Sequence, residues 1–312
     1  MEYRILGKTG LRVSALSMGA SALGGVFHEV DEGHAIRAVH AALDCGINYF
    51  DVAPAYGATR AETVLGKALR DIPRDRYFLS TKVGKHTTPG GYGRDTLDYS
   101  RGRIRGSLLE SSVRLGTEHF DIIHLHDIEY LGRRHTEWAL GEGLDSLREL
   151  KREGRIGAIG VGIYPLDLWR RILSDYDVDA GLIHNHYCLN DTGLLGLLPT
   201  ARLKGIGIIN GSPFGSGLLT DRGPAAWHPA GPDDRAVFRE AAEFCHREGS
   251  SIGKVALQFS SQHPDIPTTL FSTSNPESVQ RNVQWHSEPF DEALVSGVRG
   301  VLRPVLDKQW EY

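Results

Sequence analysis

Cysteine is scarce in this chain. The 312 residues contain three, Cys45, Cys188 and Cys245, widely spaced and in no Cys-x-x-Cys pair. That usage suits free thiols in a reducing compartment and excludes a disulfide framework. Charge of one sign is not in excess either. The 35 Lys and Arg against 39 Asp and Glu leave a net −4. That balance gives no reason to expect nucleic acid or a membrane surface as partner. No apolar run approaches the roughly 18 residues needed to span a bilayer. The start, Met1-Glu2-Tyr3-Arg4, has no basic segment leading into an apolar one, so no secretion signal is read and a cytoplasmic location is expected. No Gly-x-Gly-x-x-Gly follows a strand-like segment, so the Rossmann dinucleotide fingerprint is absent as well.

What is present is an alternation of strand and helix. After a turn at Gly7-Lys8-Thr9-Gly10, which predicts a short N-terminal hairpin, strand-like segments run over Ala15–Ala20, Ile47–Asp51, Tyr77–Lys82, Phe120–His126, Ile156–Gly162, Gly181–His186, Ile206–Asn210 and Thr268–Ser272. Between them, apolar residues recur at helical spacing, as in Ile36, Val39 and Leu43 or Leu140, Leu144 and Leu147. Several helices run into a glycine (Gly46, Gly154, Gly205), as a left-handed C-terminal cap requires. Eight such units without a break in composition predict one α/β domain over 1–312, a single (β/α)8 TIM barrel with an N-terminal hairpin and a C-terminal tail helix. An open doubly wound sheet is the alternative. Two segments exceed the usual connection length, Val83–Ser100 and Pro213–Asp233, and long ordered loops on a barrel shape its pocket. The stretch Asp291–Tyr312 reads as a last helix with an aromatic end that could fold over the mouth.

Three successive strands end in ionisable residues: Asp51, Lys82 and His126. Tyr56 follows Asp51 by five positions, in the next loop. Barrel strands are buried on both faces, so a charge inside one must be paired or functional. Taken singly, each residue has an ordinary explanation. Asp51 and Lys82 make a structural ion pair, His126 a hydrogen-bonded core imidazole, and Tyr56 a loop aromatic. All four at C-terminal strand ends, where barrels place their chemistry, make a proton-transfer site instead. Tyrosine is a poor base near neutral pH, but a neighbouring ammonium favours the phenolate. In this arrangement Asp51 aims Lys82, Lys82 activates Tyr56 as the general base, and His126 orients the substrate oxygen.

These residues bring the chain to a known family. It resembles the aldo-keto reductases over essentially its whole length. Leu6-Gly7-Lys8-Thr9-Gly10-Leu11-Arg12-Val13-Ser14 is similar to the family's opening hairpin. Asp51, Tyr56, Lys82 and Asp121-x-x-x-x-His126 match its catalytic tetrad, and Ser212-Pro213-Phe214-x-x-Gly217-Leu218-Leu219 resembles its pyrophosphate loop. Gly19-Ala20-Ser21, His126-Asp127-Ile128-Glu129, Tyr187-x-x-Asn190-Asp191 and Gly223-Pro224-x-x-Trp227-His228-Pro229-Ala230 look most like the branch of plant L-galactose dehydrogenases and bacterial aldose 1-dehydrogenases. The resemblance implies oxidation of a free sugar at its anomeric carbon to the lactone, with pyridoxal oxidation or general carbonyl reduction as alternatives. Trp227 and His228 then offer an apolar plane beside a hydrogen-bonding ring, which suits a sugar as substrate or, equally, a packed loop anchor.

The same resemblance implies cofactor contacts at Gly19, Ala20, Asp51, His184, Ser212, Phe214, Gly217, Ser272, Thr273, Ser278, Arg281 and Asn282. Departures from the family pattern fall at the nicotinamide end. Gly162-Ile163 replaces the usual Ser-Asn, His184 a Gln, and Gly211 a stacking aromatic. At the adenosine end, Ser272 and Ser278 occupy positions where phosphate-preferring members carry Lys and Arg. NAD is therefore the expected cofactor, with NADP admitted through Arg281. The expected partner is a small sugar, with neither nucleic acid nor membrane, and the chain a monomer or small homo-oligomer. A rival reading takes His124-x-His126 and His184-x-His186 as zinc ligands of a barrel hydrolase, but the order Asp, Lys, then histidines argues against it and no metal is expected. A third takes the fold as a non-enzymatic cofactor-binding module, which the intact tetrad disfavours.

Overall fold

In the computed structural model, residues 1–26, 29–87 and 95–310 are described. The central part of the Val83–Ser100 segment and the last two residues of the tail lie outside these. The chain opens with the antiparallel hairpin β1 (Tyr3–Ile5) and β2 (Arg12–Ser14). Barrel strands follow as β3 (Leu16–Gly19), β4 (Tyr49–Asp51) and β5 (Phe78–Val83). A short antiparallel pair, β6 (Lys85–Thr87) and β7 (Asp95–Leu97), sits on the loop after β5. The barrel continues with β8 (Phe120–His126), β9 (Ile156–Ile163), β10 (Ala180–His184), β11 (Gly207–Gly211) and β12 (Thr268–Ser272). Neighbours pair in parallel, and β12 returns to β3, so the sheet closes with no free edge. The α/β barrel expectation therefore holds, as do the opening hairpin and the late helix, Glu292–Val301.

Side chains explain the closure. Leu6 and Val13 of the hairpin region pack with Tyr49, Ile122, Ala158, Ala180, Leu182, Ile209 and Leu270, so the hairpin plugs the N-terminal end of the barrel. At that end a carboxylate twice ties neighbouring strands together. Asp121 accepts the Leu79 N–H at 2.8 Å, and Asp179 accepts the Ile159 N–H at 2.8 Å. Each ties the start of one strand to its neighbour and is neutralised in turn, by Arg74 and by Lys151. Asp121 is thus a structural residue at the far end from His126.

The helices start where short polar side chains can cap them. Asp31, Ser100, Ser251, Asn275 and Asp291 each accept an N–H three residues on. Gly46, Gly154 and Gly205 all have positive φ, as left-handed caps require. Strand boundaries differ from the sequence reading by at most two residues, and β8 and β12 coincide with it. The largest shift is at β10, which ends at His184 because Asn185 takes φ 61°. His186 therefore lies beyond the strand.

Candidate active site

The four strand-end groups meet at the C-terminal mouth. Register places Gly19 beside Asp51, Asp51 beside Ser80, and Lys82 beside His124. Lys82 Nζ donates to Asp51 Oδ2 at 2.5 Å and to the Val52 carbonyl at 2.8 Å. Ser80 donates to the other Asp51 oxygen at 2.6 Å and is itself bonded to Tyr49 at 2.8 Å. Asp51 is 2% and Lys82 1% exposed, so two charges are buried only because each is paired and hydrogen-bonded. The ammonium lies 5.0 Å from the centre of the Tyr56 ring, and the Tyr56 and His126 rings meet edge to face at 5.9 Å.

The loop carrying Tyr56 is fixed by close backbone contact. A Cβ on Gly57, which has φ 60°, would lie 2.0 Å from the Gly24 carbonyl oxygen, so only glycine fits there. His126 is buried; its carbonyl accepts from Tyr99 at 2.7 Å. Burial, aided by the Lys82 and Lys85 ammoniums and opposed by Asp127, pushes the His126 imidazole well below its usual value. The shift favours the uncharged ring, which can hydrogen-bond without carrying a charge. Burial likewise lowers His124 and His184 to about 4.

A cleft of about 620 Å³ runs from this cluster across the barrel mouth. Among the residues expected to bind cofactor, Gly19, Asp51, His184, Ser212, Phe214, Gly217 and Ser272 line it, as do Tyr56, His126 and Trp227. Ala20 is buried beside it, its N–H on the Asp51 carbonyl at 2.7 Å. Thr273, Ser278, Arg281 and Asn282 continue past Ser272 and stand outside the cleft wall. There Arg281 donates to the Ser278 hydroxyl at 3.1 Å, and Asn282 is buried. Ser272 Oγ accepts from the Ala22 N–H at 2.9 Å and from Ser21 at 3.0 Å, which ties the loop after β3 to the end of β12.

Trp227 and His228 separate. Trp227 is 56% exposed at the cleft, whereas His228 is 3% exposed beneath the loop. The His228 Nδ1 accepts from the Ala230 N–H at 3.1 Å and its ring meets Trp310 at 5.8 Å. The placement of His228 is that of a loop anchor. Trp310 in turn bonds Asp234 at 3.0 Å, so the described part of the tail packs against this loop.

Residues that fit a dinucleotide are on hand. Between Ser212 and Gly217 the backbone turns through four left-handed positions, Ser212, Gly215, Ser216 and Gly217. Within this turn the Gly215 and Gly217 N–H groups donate to the Ser212 and Phe214 carbonyls at 2.9 and 3.0 Å, which fixes the shape of the loop along the cleft wall. The histidine pairs, by contrast, have other neighbours. His124 packs on Gly160, where a Cβ would lie 2.1 Å from its ring, and His186 stacks on Tyr164 at 4.5 Å and bonds Asp191 at 3.2 Å. No group of three His, Cys, Asp or Glu side chains that could hold a metal ion occurs among the described residues.

Sequence reasoning assigned no role to Lys85, Asp127 or Glu129, which extend the site. Lys85 and Asp127 form a buried ion pair at 2.6 Å in the cleft wall. Burial raises the Asp127 carboxyl, and neighbouring cations outweigh it and bring the group below its ordinary value. The Lys85 ammonium bonded to Oδ2 is one of those charges. Burial, then the charge of Asp127, pushes Glu129 up to about 8, and its Oε1 accepts the Tyr164 N–H at 2.9 Å. The signal that could have found Lys85 was a cation three residues past Lys82, beyond a glycine that turns the chain.

Residues 15–303 match the model of the aldo/keto reductase family. The chain belongs to that family. Its members are oxidoreductases that use NAD(P)H. The aldo/keto reductase described here is 38% identical over 319 residues to the L-galactose dehydrogenase of Arabidopsis thaliana, covering 99% of this chain and 97% of that protein. It is 29% identical over 338 residues to the pyridoxal 4-dehydrogenase of Microbacterium luteolum, covering 96% of each. Among solved structures, the holo form of the aldo-keto reductase AKR11C1 from Bacillus halodurans superposes with a TM-score of 0.80 at 25% identity, over 100% of this chain and 98% of that one. Among the described residues no helix is long and apolar enough to cross a membrane.

Proposed function

We propose that this aldo/keto reductase oxidises a free aldose at C1 to the corresponding lactone, with NAD as the preferred cofactor. One observation carries the chemistry: a buried ammonium, fixed by Asp51 at 2.5 Å, faces a tyrosine ring at 5.0 Å whose other neighbour is a buried histidine. The substrate class is supported by the full-length similarity to L-galactose dehydrogenase. A nicotinamide bound in the cleft supplies the two-electron acceptor. Gly19, Ser212, Phe214, Gly217 and Ser272 would hold it in the cleft, with Thr273, Ser278, Arg281 and Asn282 at its adenosine end.

Tyr56 takes the proton of the C1 hydroxyl. The Lys82 ammonium favours the phenolate that does so, and Asp51 keeps Lys82 aimed through the 2.5 Å contact. His126, uncharged, hydrogen-bonds the C1 oxygen and fixes its lone pairs relative to Tyr56. The C1 carbon gives up its hydrogen with two electrons, its oxygen gives up a proton, and the ring carbon becomes a lactone carbonyl. Trp227 closes one side of the cleft with a flat apolar face. The reading includes a cytoplasmic location, which three free thiols support, and a small sugar as partner.

A panel of free aldoses and pyridoxal, each with NAD⁺ and NADP⁺, tests the reading through the nicotinamide absorbance. The expected result is highest kcat/KM with an aldose and NAD⁺. Turnover of pyridoxal alone, as the Microbacterium relative's name would suggest for this chain, overturns it.

A further inference from the structure

The cleft wall beside His126 carries an ion pair that the proton transfer does not use. Lys85 Nζ donates to Asp127 Oδ2 at 2.6 Å, and the two side chains are 9% and 10% exposed. Asp127 Oδ1 stands 3.6 Å from His126 Nε2, beyond hydrogen-bond length but close enough for one substrate to touch both. The carboxylate is held from behind. Asp127 has φ 49°, a left-handed conformation uncommon outside glycine, and its N–H donates to the Gly162 carbonyl at 3.0 Å. The Tyr130 N–H donates to the Asp127 carbonyl at 3.2 Å, and the Tyr130 ring lies 4.0 Å from Lys85 Nζ.

We infer that Asp127, held by Lys85, is a specificity-determining residue that accepts a hydrogen bond from the hydroxyl on C2 of the substrate, next to the reacting carbon. The inference rests on the aldose reading above. An ionised carboxylate only accepts hydrogen bonds. With Lys85 on Oδ2, the oxygen nearer His126 calls for a donor. His126 Nε2 marks where the C1 oxygen sits. In an aldopyranose C1 has two ring neighbours, the ring oxygen, which cannot donate, and C2, whose hydroxyl can. Asp127 therefore rejects the ring-oxygen side and sets which way round the sugar lies. A substrate with no hydroxyl there leaves Oδ1 desolvated without the donor that the hydroxyl would give it.

The test compares kcat/KM of the wild-type enzyme for an aldose it oxidises with that for its 2-deoxy and 3-deoxy analogues. We expect the 2-deoxy sugar to lose on the order of 100-fold, the range of a hydrogen bond to a charged group, and the 3-deoxy sugar to lose far less. Asp127→Ala combined with Lys85→Met removes both charges, so that neither is left buried alone. In that variant the 2-deoxy penalty should shrink to a few-fold, with the loss for the parent sugar carried mainly by KM. Equal losses for the two deoxy sugars in the wild-type enzyme overturn the inference, and so does a double variant that keeps the full 2-deoxy penalty. If the double variant does not fold, the wild-type comparison alone decides. If no aldose is oxidised, the functional reading itself fails and this one with it. Indifference to the 2-hydroxyl sinks only the role of Asp127.

Discussion

Neutralising Asp51 and Lys82 singly and together separates a structural ion pair from a catalytic one. Both groups are almost fully buried, and the Lys82–Asp51 contact is 2.5 Å. Lys82→Met leaves the Asp51 carboxylate with only the Ser80 hydroxyl, and Asp51→Asn leaves a buried ammonium with the Val52 carbonyl and an amide. Stranding one partner of a buried pair costs about 3–5 kcal/mol. The double variant strands no charge, so its loss should be smaller than either single loss, a coupling of several kcal/mol. Stability is read from the urea midpoint at constant m-value. Activity should behave in the opposite way. All three variants lose the polarised Tyr56, so kcat falls by about 10²-fold or more in each and is not restored in the double. Additive losses of stability would refute the buried-pair argument. Recovery of kcat in the double variant would refute the catalytic role of the pair and leave it a scaffold contact.

Tyr56→Phe should lower kcat by more than about tenfold, over 1.4 kcal/mol of transition-state stabilisation, while NAD⁺ titrations of fluorescence stay near wild type. Trp227→Ala should raise KM for the sugar or for NAD⁺; unchanged values for both would leave Trp227 as a surface residue with no part in the cleft. Arg281 reaches Ser278 at the position where the family's phosphate-preferring members carry a cation, so Arg281→Ala should cut kcat/KM for NADP⁺ by about tenfold and barely alter that for NAD⁺. Glu129 has its carboxyl raised to about 8 by burial and by Asp127, so the folded state holds a proton that the unfolded state gives up near 4.5. Its contribution is therefore full below pH 4.5 and is lost as pH rises toward 8, at no more than about 1.4 kcal/mol per unit. Urea unfolding of wild type and Glu129→Gln at pH 5 and pH 8 should show the wild type losing more stability over that interval; parallel behaviour would sink the assignment.

The sequence by itself determined the barrel and picked out four residues, Asp51, Tyr56, Lys82 and His126, that the fold brings together at its mouth. Strands buried on both faces write themselves as apolar runs, and an ionisable residue ending such a run stands out because burial makes it costly. Asp51, Lys82 and His126 were legible for that reason, and three helix C-termini because Gly46, Gly154 and Gly205 supply a left-handed cap locally. Tertiary structure alone decided what depends on contacts between distant segments. Lys85 and Asp127 are 42 residues apart, and only the β5–β8 register brings them together across the mouth. Trp227 and His228 are neighbours in sequence, yet one faces the cleft and the other anchors the loop, because Trp310 and the Ala230 N–H hold the imidazole underneath. His184 and His186 alternate as a strand would have them, but the left-handed turn at Asn185 ends the strand between them. Periodicity reports which residues are buried; which buried groups touch is set by how the strands are staggered around the closed barrel.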